Sequence, residues 1–147
     1  MKWRKAQCDF TVEATALFAR FAAKHGLTYA AVDAPVEVLW EFPVQAKLSR
    51  RIVLGLQNND ELNFGVEDFW SYFFPFTDKK SEFEYLINSW VEGAARIVPK
   101  PGLIVQSLEL QVLEPDGWRV AYDVSSLSLR KPPQVVLTNV IASDVRK

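Results

Sequence analysis

The side chains best able to do chemistry in this sequence are carboxylates, several of which occur in close pairs. The pairs are Glu37 with Glu41, Asp60 with Glu61, Glu67 with Asp68, and Glu114 with Asp116. Acid/base hydrolysis requires two carboxylates that face one cleft with different pKa values. Glu37 and Glu41 fit best, because alternation along a strand would put both on its face away from the core. Glu67 and Arg51 could join them, but surface ion pairs on a solvated sheet face are the simpler explanation of these residues, and we favour that interpretation.

Other catalytic groups are scarce. His25 is the only histidine, so a serine-type triad and a multi-histidine zinc site are excluded within one chain. Cys8 is the only cysteine, which excludes an intrachain disulfide and a thiolate metal cluster. The six glycines never cluster as a phosphate-binding loop requires. The sequence therefore predicts no catalytic residue, no metal and no cofactor, and it favours a protein that is not an enzyme.

The segment VEDFWSYFFPF is the most unusual feature of the chain, because it concentrates aromatic residues. They are Phe69, Trp70, Tyr72, Phe73, Phe74 and Phe76. In an extended segment one side would carry Trp70, Tyr72, Phe74 and Phe76, and the other side would carry Phe69 and Phe73. Either the protein covers both sides, or one side is a protein interface, since aromatic residues are enriched at the centres of interfaces.

Composition limits the class of protein. A chain of 147 residues with 49% hydrophobic and 24% charged residues predicts one globular domain over 1–147, with 1–8 and about 131–147 as less ordered or edge segments. The net charge of -1 gives no field that would attract nucleic acid. No apolar run approaches the roughly 20 residues that cross a bilayer, and MKWRK lacks the apolar core of a signal peptide. We therefore expect a cytoplasmic protein that binds neither nucleic acid nor membrane.

Two segments show helical periodicity. Residues 10–25 repeat apolar side chains at spacings of three and four, with Asp9 or Thr11 as a cap and Gly26 as the stop. The second stripe runs from Phe83 through Trp90 and Ala94 to Ile97. We expect Thr77 or Asp78 to cap this second helix, and Pro99, Pro101 and Gly102 to end it.

The remaining segments are predicted to be strands. Val36, Val38, Trp40 and Phe42 alternate with Glu37, Leu39 and Glu41, which would point the other way. Residues 50–57 and 61–66 form a hairpin around NND. A second hairpin turns at EPDG. We expect the side chains on one face of its two strands to form a single layer of the core, made of Ile104, Leu108, Leu110, Val112, Trp118, Val120, Tyr122 and Val124. QVVLTNVI could add a last strand, which Pro132 and Pro133 would confine to an edge.

The elements follow the order α-β-β-β-α-β-β, which predicts a single α+β domain. Short connections favour one antiparallel sheet of five to six strands with both helices packed on one face. This order over residues 9 to 124 resembles that of type III secretion chaperones, although no sequence motif accompanies it. The resemblance implies a small cytoplasmic protein that dimerises and holds an extended partner against apolar patches. Small bacterial immunity proteins, which bind and neutralise a toxin, similarly lack motifs.

The leading hypothesis is a non-catalytic protein-binding module, immunity-like or chaperone-like, whose partner is another protein or a second copy of the chain. Its binding residues would come from the aromatic segment 69–76 together with Trp40, Glu37, Glu41 and Arg51. The alternative is a small-molecule-binding protein or hydrolase. Its pocket would lie between helices and sheet, be lined by Trp40, Trp70 and Tyr72, and use Glu37 or Glu41. RNA binding beside Arg50 and Arg51 is the weakest hypothesis.

Overall fold

The computed structural model describes residues 9–127 and 135–140 of the chain. Over these residues the chain forms two helices, α1 Thr11–His25 and α2 Phe76–Val91. The strands are β1 Ala30–Ala31, β2 Val38–Phe42, β3 Ile52–Gln57, β4 Glu61–Val66, β5 Phe69–Trp70, β6 Ala95–Lys100, β7 Val105–Glu114, β8 Gly117–Leu127 and β9 Leu137–Thr138. The predicted α+β class and the order of the helices and strands are confirmed.

The strands form two antiparallel sheets, where the sequence predicted a single sheet of five to six strands. Sheet 1 has the order β1-β2-β3-β4-β5, and sheet 2 has the order β8-β7-β6-β9. The sheets meet through side chains, because the rings of Phe69 and Phe73 pack against Tyr122 with ring centroids 6.0 and 5.2 Å apart. The second hairpin therefore packs one of its faces against the core, and it belongs to a separate sheet instead of adding strands to sheet 1.

Sheet 1 forms as its alternation predicts. Val38, Trp40 and Phe42 are buried on one face of β2. In the following hairpin Leu54 lies opposite Phe64, on the same buried face. The NND turn uses positive φ angles of 52° and 64° at its two asparagines, which Asn tolerates better than most residues. We call this buried face the inner face of sheet 1, and the opposite face its outer face.

Helix α1 ends at Gly26 as predicted; at its start Phe10 is the N-cap residue, and the predicted Asp9 contributes from the position before it. The side chain of Asp9 accepts hydrogen bonds from the Thr11 hydroxyl at 2.6 Å and the Thr11 backbone N–H at 3.0 Å. These two bonds lower the pKa of Asp9. Gly26 ends the helix in the left-handed region with φ 63°, where a residue without Cβ is least strained.

Helix α2 is shorter than predicted, because it ends at Val91 and not near Pro99. Gly93, with φ 78°, directs the chain into β6 within two residues. Ala94 and Ile97 therefore lie beyond the helix, Ile97 in β6, where a β-branched side chain packs well. The prediction failed because the stripe continues unbroken across the glycine.

The N-terminal cap of α2 also differs from the prediction. Thr77 and Asp78 lie inside the helix, and Pro75 precedes it in an extended conformation. The backbone N–H of Phe76 instead donates to Asp60 Oδ1 at 2.7 Å. Asp60 belongs to the turn between β3 and β4, so tertiary structure supplies the anion that a local cap would otherwise provide.

A β-bulge changes the predicted sidedness of the second hairpin. Leu110 pairs with Tyr122 and Gln111 pairs with Val120, so one extra residue lies between the two partners on β8. The extra residue turns the following side chains to the other face. Tyr122 packs on the core, whereas Trp118 and Val120 are exposed on the opposite face. The prediction that these three residues share one layer is therefore wrong.

The predicted last strand is present as β9, at the edge of sheet 2 beside β6. Pro132 and Pro133, on which its edge position was argued, lie outside the described residues, as do segment 1–8 and most of 131–147. Ile104, also expected in the core layer, precedes β7 and is 71% exposed.

Both helices pack on the inner face of sheet 1. Phe18 of α1 contacts Trp40 with ring centroids 5.7 Å apart, and Trp90 of α2 contacts Phe64 at 5.5 Å. Helix α2 also contacts β6 and β7, so it lies against both sheets. Among the described residues, no helix has the length and apolar character needed to cross a membrane.

Candidate functional site

The outer face of sheet 1 carries most of the polar residues that the sequence singled out. Neither helix packs on it, because both occupy the inner face. The strand register builds one row across the four strands β2 to β5, which contains Glu41, Val53, Gly65 and Trp70. The next row contains Leu39, Gly55 and Asn63. The face is thus a continuous surface built mainly on strands.

The aromatic segment extends this face along its edge. The backbone bridge between Leu62 and Phe73 continues the pairing of Gly65 with Trp70, which places Tyr72 opposite Asn63. Alternation then brings Trp70, Tyr72 and Phe74 to the outer side. Trp70 is half-buried, Tyr72 is 43% exposed and Phe74 is 57% exposed. We call these three residues the aromatic row.

The other rings of the segment lie in the core. Phe69 and Phe73 face inward and are 1% and 4% exposed. The extended geometry ends at Pro75, which follows a cis peptide bond. Phe76 therefore starts α2 and is buried, stacked on Phe10 with ring centroids 4.6 Å apart. The predicted alternation holds from Phe69 to Phe74, and it fails at Phe76 because the chain has already turned into a helix.

Hydrogen bonds beneath the aromatic row hold its backbone in place. Ser71 Oγ donates to the Phe64 carbonyl at 2.9 Å and accepts from the Phe64 N–H at 3.2 Å. Asn63 Nδ2 donates to the Ser71 carbonyl at 3.0 Å. Ser71 and Asn63 are both buried. The row is therefore preorganised by bonds in the sheet, which lowers the entropy that a partner must remove on binding.

Gly65 determines how Trp70 lies. A Cβ atom at position 65 would come within 2.4 Å of the Trp70 ring. The indole can therefore lie over the backbone of β4 only because this residue has no side chain. Beside it is a shallow depression of about 250 Å³, lined by residues that include Glu41, Arg51 and Val53.

The charged groups on this face are paired or hydrogen-bonded. Arg51 forms an ion pair with Glu41 at 2.7 Å, and Arg50 forms one with Glu67. All four side chains are between a quarter and just over half exposed. Such pairs contribute little stability, because water and salt screen them. They fix the positions of the charges on the surface instead.

The carboxylates do not form a hydrolytic pair. Glu41 lies in β2, whereas Glu37 lies in the bend that precedes this strand. Glu37 accepts from the Asn59 backbone N–H at 3.2 Å, whereas Glu41 is engaged by Arg51. The described residues contain no group of three or more His, Cys, Asp or Glu that could hold a metal ion.

Trp40, Trp70 and Tyr72, which were expected to line one pocket between helices and sheet, lie on different faces of sheet 1. Trp40 faces inward and stacks on Tyr29 with ring centroids 4.0 Å apart, whereas Trp70 and Tyr72 lie on the outer face. The structure brings together Trp70, Tyr72, Phe74, Glu41 and Arg51. It leaves Trp40, Phe69, Phe73 and Phe76 in the core.

Sequence reasoning missed two features of this region. Gly65 and Asn63 shape the outer face, and an isolated glycine within a strand pattern was the available signal, because it often marks a close approach of another group. A cavity of about 300 Å³ also lies between the sheets. Arg50, Glu67, Asp68 and Leu108 are among its lining residues. Its lining combines residues distant in sequence, so no local pattern could predict it.

A second exposed surface lies on the outer face of sheet 2. The Arg96 guanidinium stacks 3.9 Å above the Trp118 ring, and Arg96 Nε donates to Gln111 Oε1 at 2.8 Å. Leu113 and Val120 are 45% and 48% exposed nearby in the register. This surface results from the bulge in β8.

Comparisons of the chain with protein-family models, with curated proteins and with solved structures find no match.

Proposed function

We propose that this protein is a non-catalytic protein-binding module that contacts its partner through the outer face of sheet 1. The observation that carries the proposal is the aromatic row. Tyr72 and Phe74 present two adjacent exposed rings beside the half-buried Trp70 on one side of a sheet edge. Aromatic side chains of this kind are enriched at the centres of protein interfaces.

The cost of exposure supports a binding role. An aromatic ring buries about 150 to 250 Å² when it is covered, which is worth roughly 4 to 6 kcal/mol as an extended-chain upper estimate. Phe69 and Phe73 obtain this burial within the chain, whereas Tyr72 and Phe74 remain 43% and 57% exposed. A partner that covers the aromatic row would bury the remaining apolar area.

The shape of the face favours a protein over a small molecule. Pockets for small ligands are concave and typically about 300 to 1,000 Å³ in volume. The depression beside Trp70 is smaller, at about 250 Å³, and open. The alternative hypothesis, a small-molecule-binding protein or hydrolase that uses Glu37 or Glu41, gains less support because these carboxylates bind different groups, the Asn59 N–H and Arg51 respectively.

Site-specific photo-crosslinking tests this proposal with a matched control. Tyr72 and Tyr85 are 43% and 44% exposed, and Tyr85 lies on helix α2. We would place p-benzoylphenylalanine at either position in the full chain, irradiate intact cells of its natural host, and identify adducts by mass spectrometry. We expect one discrete adduct from position 72 and none from position 85.

The composition of the adduct separates the two kinds of partner. An adduct of two identical chains would identify the partner as a second copy, and an adduct with another polypeptide would identify a different protein. Adducts of equal yield from both positions would indicate random collision and contradict the proposal. Absence of any adduct at position 72 would also contradict it.

A further inference from the structure

We infer that the partner contacts the outer face of sheet 1 with a basic segment, in which Lys or Arg lies next to an apolar anchor. This inference rests on the proposed protein-binding function and adds the chemistry of the partner. Strand alternation places the carboxylates of Glu41 and Glu61 on this face, and Glu67 lines the depression beside Trp70. Glu37, in the bend that precedes β2, accepts a hydrogen bond from the Asn59 N–H in the turn between β3 and β4. Among the described residues, the cations that pair with these carboxylates are Arg50 and Arg51.

The four carboxylates differ in what neutralises them. Glu41 and Glu67 pair with Arg51 and Arg50 at the end of the face near Trp70. At the other end, Glu61 accepts a hydrogen bond from Asn58 Nδ2 at 3.0 Å and Glu37 accepts one from a backbone N–H at 3.2 Å. Neither of these two forms an ion pair with a cation of the described residues. Among the described residues, the end of the face near Glu37 and Glu61 therefore carries negative charge that no ion pair neutralises.

This uncompensated end lies beside the exposed part of the aromatic row. Continuation of the register places Glu61 on the same face as Phe74, on the neighbouring strand. A cationic side chain can contact an aromatic ring and a carboxylate at once, because the ring face is negative. Complementary charge also accelerates encounter and disfavours wrong partners. The aromatic row and the two carboxylates thus fit one kind of ligand, a basic and apolar protein segment.

The same charges argue against a second copy as the occupant. A symmetric dimer through this face would apply the identical patch to itself. Each copy carries four carboxylates against Arg51 and the Arg50 that reaches Glu67. The cations that the described residues of the facing patch would offer to Glu37 and Glu61, Arg50 and Arg51, already pair with Glu67 and Glu41, so self-association would cover two carboxylates without a free cation, which costs binding free energy. A partner with positive charge removes this cost.

Peptide titration of the full chain tests the inference. One probe is an acetylated nonapeptide with a central Trp flanked by Arg residues, and the matched probe has Glu in place of every Arg. NMR would follow the Gly65 amide and the Trp70 indole N–H, which report on the outer face. We expect the basic peptide to bind at least tenfold more tightly than the acidic one, and to weaken as NaCl is raised.

Variants locate the effect on the protein. E37Q/E61Q should weaken the basic peptide roughly threefold or more, the scale of two lost surface charge contacts. E13Q/E92Q makes the same change in net charge at exposed residues near the ends of α1 and α2, and it should leave the affinity unchanged. Equal weakening by both variants, tight binding of the acidic peptide, or no shift with either peptide would overturn the inference.

The outcome is distinguishable from failure of the proposed function. A specific adduct at position 72 with no preference for the basic peptide would retain protein binding and reject the basic partner. Loss of both the adduct and the peptide preference would reject the two together.

Discussion

The two sides of segment 69–74 have similar composition and opposite environments. Phe69 and Phe73 face inward and are almost completely buried, whereas Tyr72 and Phe74 face outward and remain about half exposed. One backbone, held by the same register, presents both sides. The difference teaches that the inner rings stabilise the fold, whereas the outer rings contribute less to the packing of the described residues and are the ones available to the proposed interface.

The largest expected effect is loss of stability when an inner ring is removed. Phe73 contacts Phe83 and Tyr122, with ring centroids 5.7 and 5.2 Å apart, so it connects α2 with sheet 2. Phe73→Ala should cost about 3 to 5 kcal/mol of unfolding free energy, because a buried cavity remains. Urea unfolding would measure it. Phe74→Ala is the outer control and should change stability by about 0.5 kcal/mol or less; equal losses would remove the distinction between the two sides.

The second prediction concerns Gly65, the residue over which the Trp70 ring lies on the outer face. Gly65→Ala would place a Cβ atom 2.4 Å from the Trp70 ring, so the indole must move. Overpacking of this kind costs roughly 1 to 3 kcal/mol. Thermal unfolding would measure the loss, and intrinsic fluorescence would report the new environment of Trp70. In a Trp70→Ala background the same substitution should cost much less, and a cost that persists there would show that the backbone of β4, and not the ring, requires glycine.

The third prediction concerns the hydrogen bonds between the Ser71 side chain and the backbone of Phe64 in β4. Ser71→Ala removes two hydrogen bonds to Phe64 and leaves its buried N–H without the Ser71 hydroxyl as acceptor. The expected cost is about 1 to 2 kcal/mol. Hydrogen exchange should accelerate at the Phe64 amide. Ser125→Ala, at an exposed position of β8, is a suitable control, and an equal change in that variant would argue against a special role for Ser71.

Local patterns predicted much of the fold. Period-two alternation identified β2, β3 and β4, and period 3.6 identified both helices. The errors arise where a distant element decides the local structure. The apolar stripe of α2 continues past Gly93, so periodicity could not show that Ile97 pairs in a strand. The extra residue in β8 is invisible in sequence, because any residue can occupy a bulge.

Local patterns also predicted part of the candidate site. Alternation correctly assigned Trp70, Tyr72 and Phe74 to one side, since it depends on the local backbone alone. Which side faces the core depends on the packing of α2 and Tyr122, which are distant in sequence. Trp40 was included with the binding residues because its type suits a site, but its strand directs it inward.

The smallest expected effect on stability is also the sharpest test of the comparison. Tyr72→Ser/Phe74→Ser replaces both exposed rings, and surface substitutions of this kind change the unfolding free energy by about 0.5 kcal/mol or less each. Binding should respond very differently, because exposed aromatic residues at the centre of an interface contribute about 2 kcal/mol or more each. We therefore expect affinity for the partner identified by crosslinking to fall more than tenfold, measured by calorimetry at a temperature where both proteins are folded.

The control replaces exposed residues of the other sheet, Leu113→Ser/Val120→Ser, and should retain affinity. If the control loses affinity and the Tyr72→Ser/Phe74→Ser variant keeps it, the interface belongs to sheet 2, and the exposure of the outer rings has no role in binding.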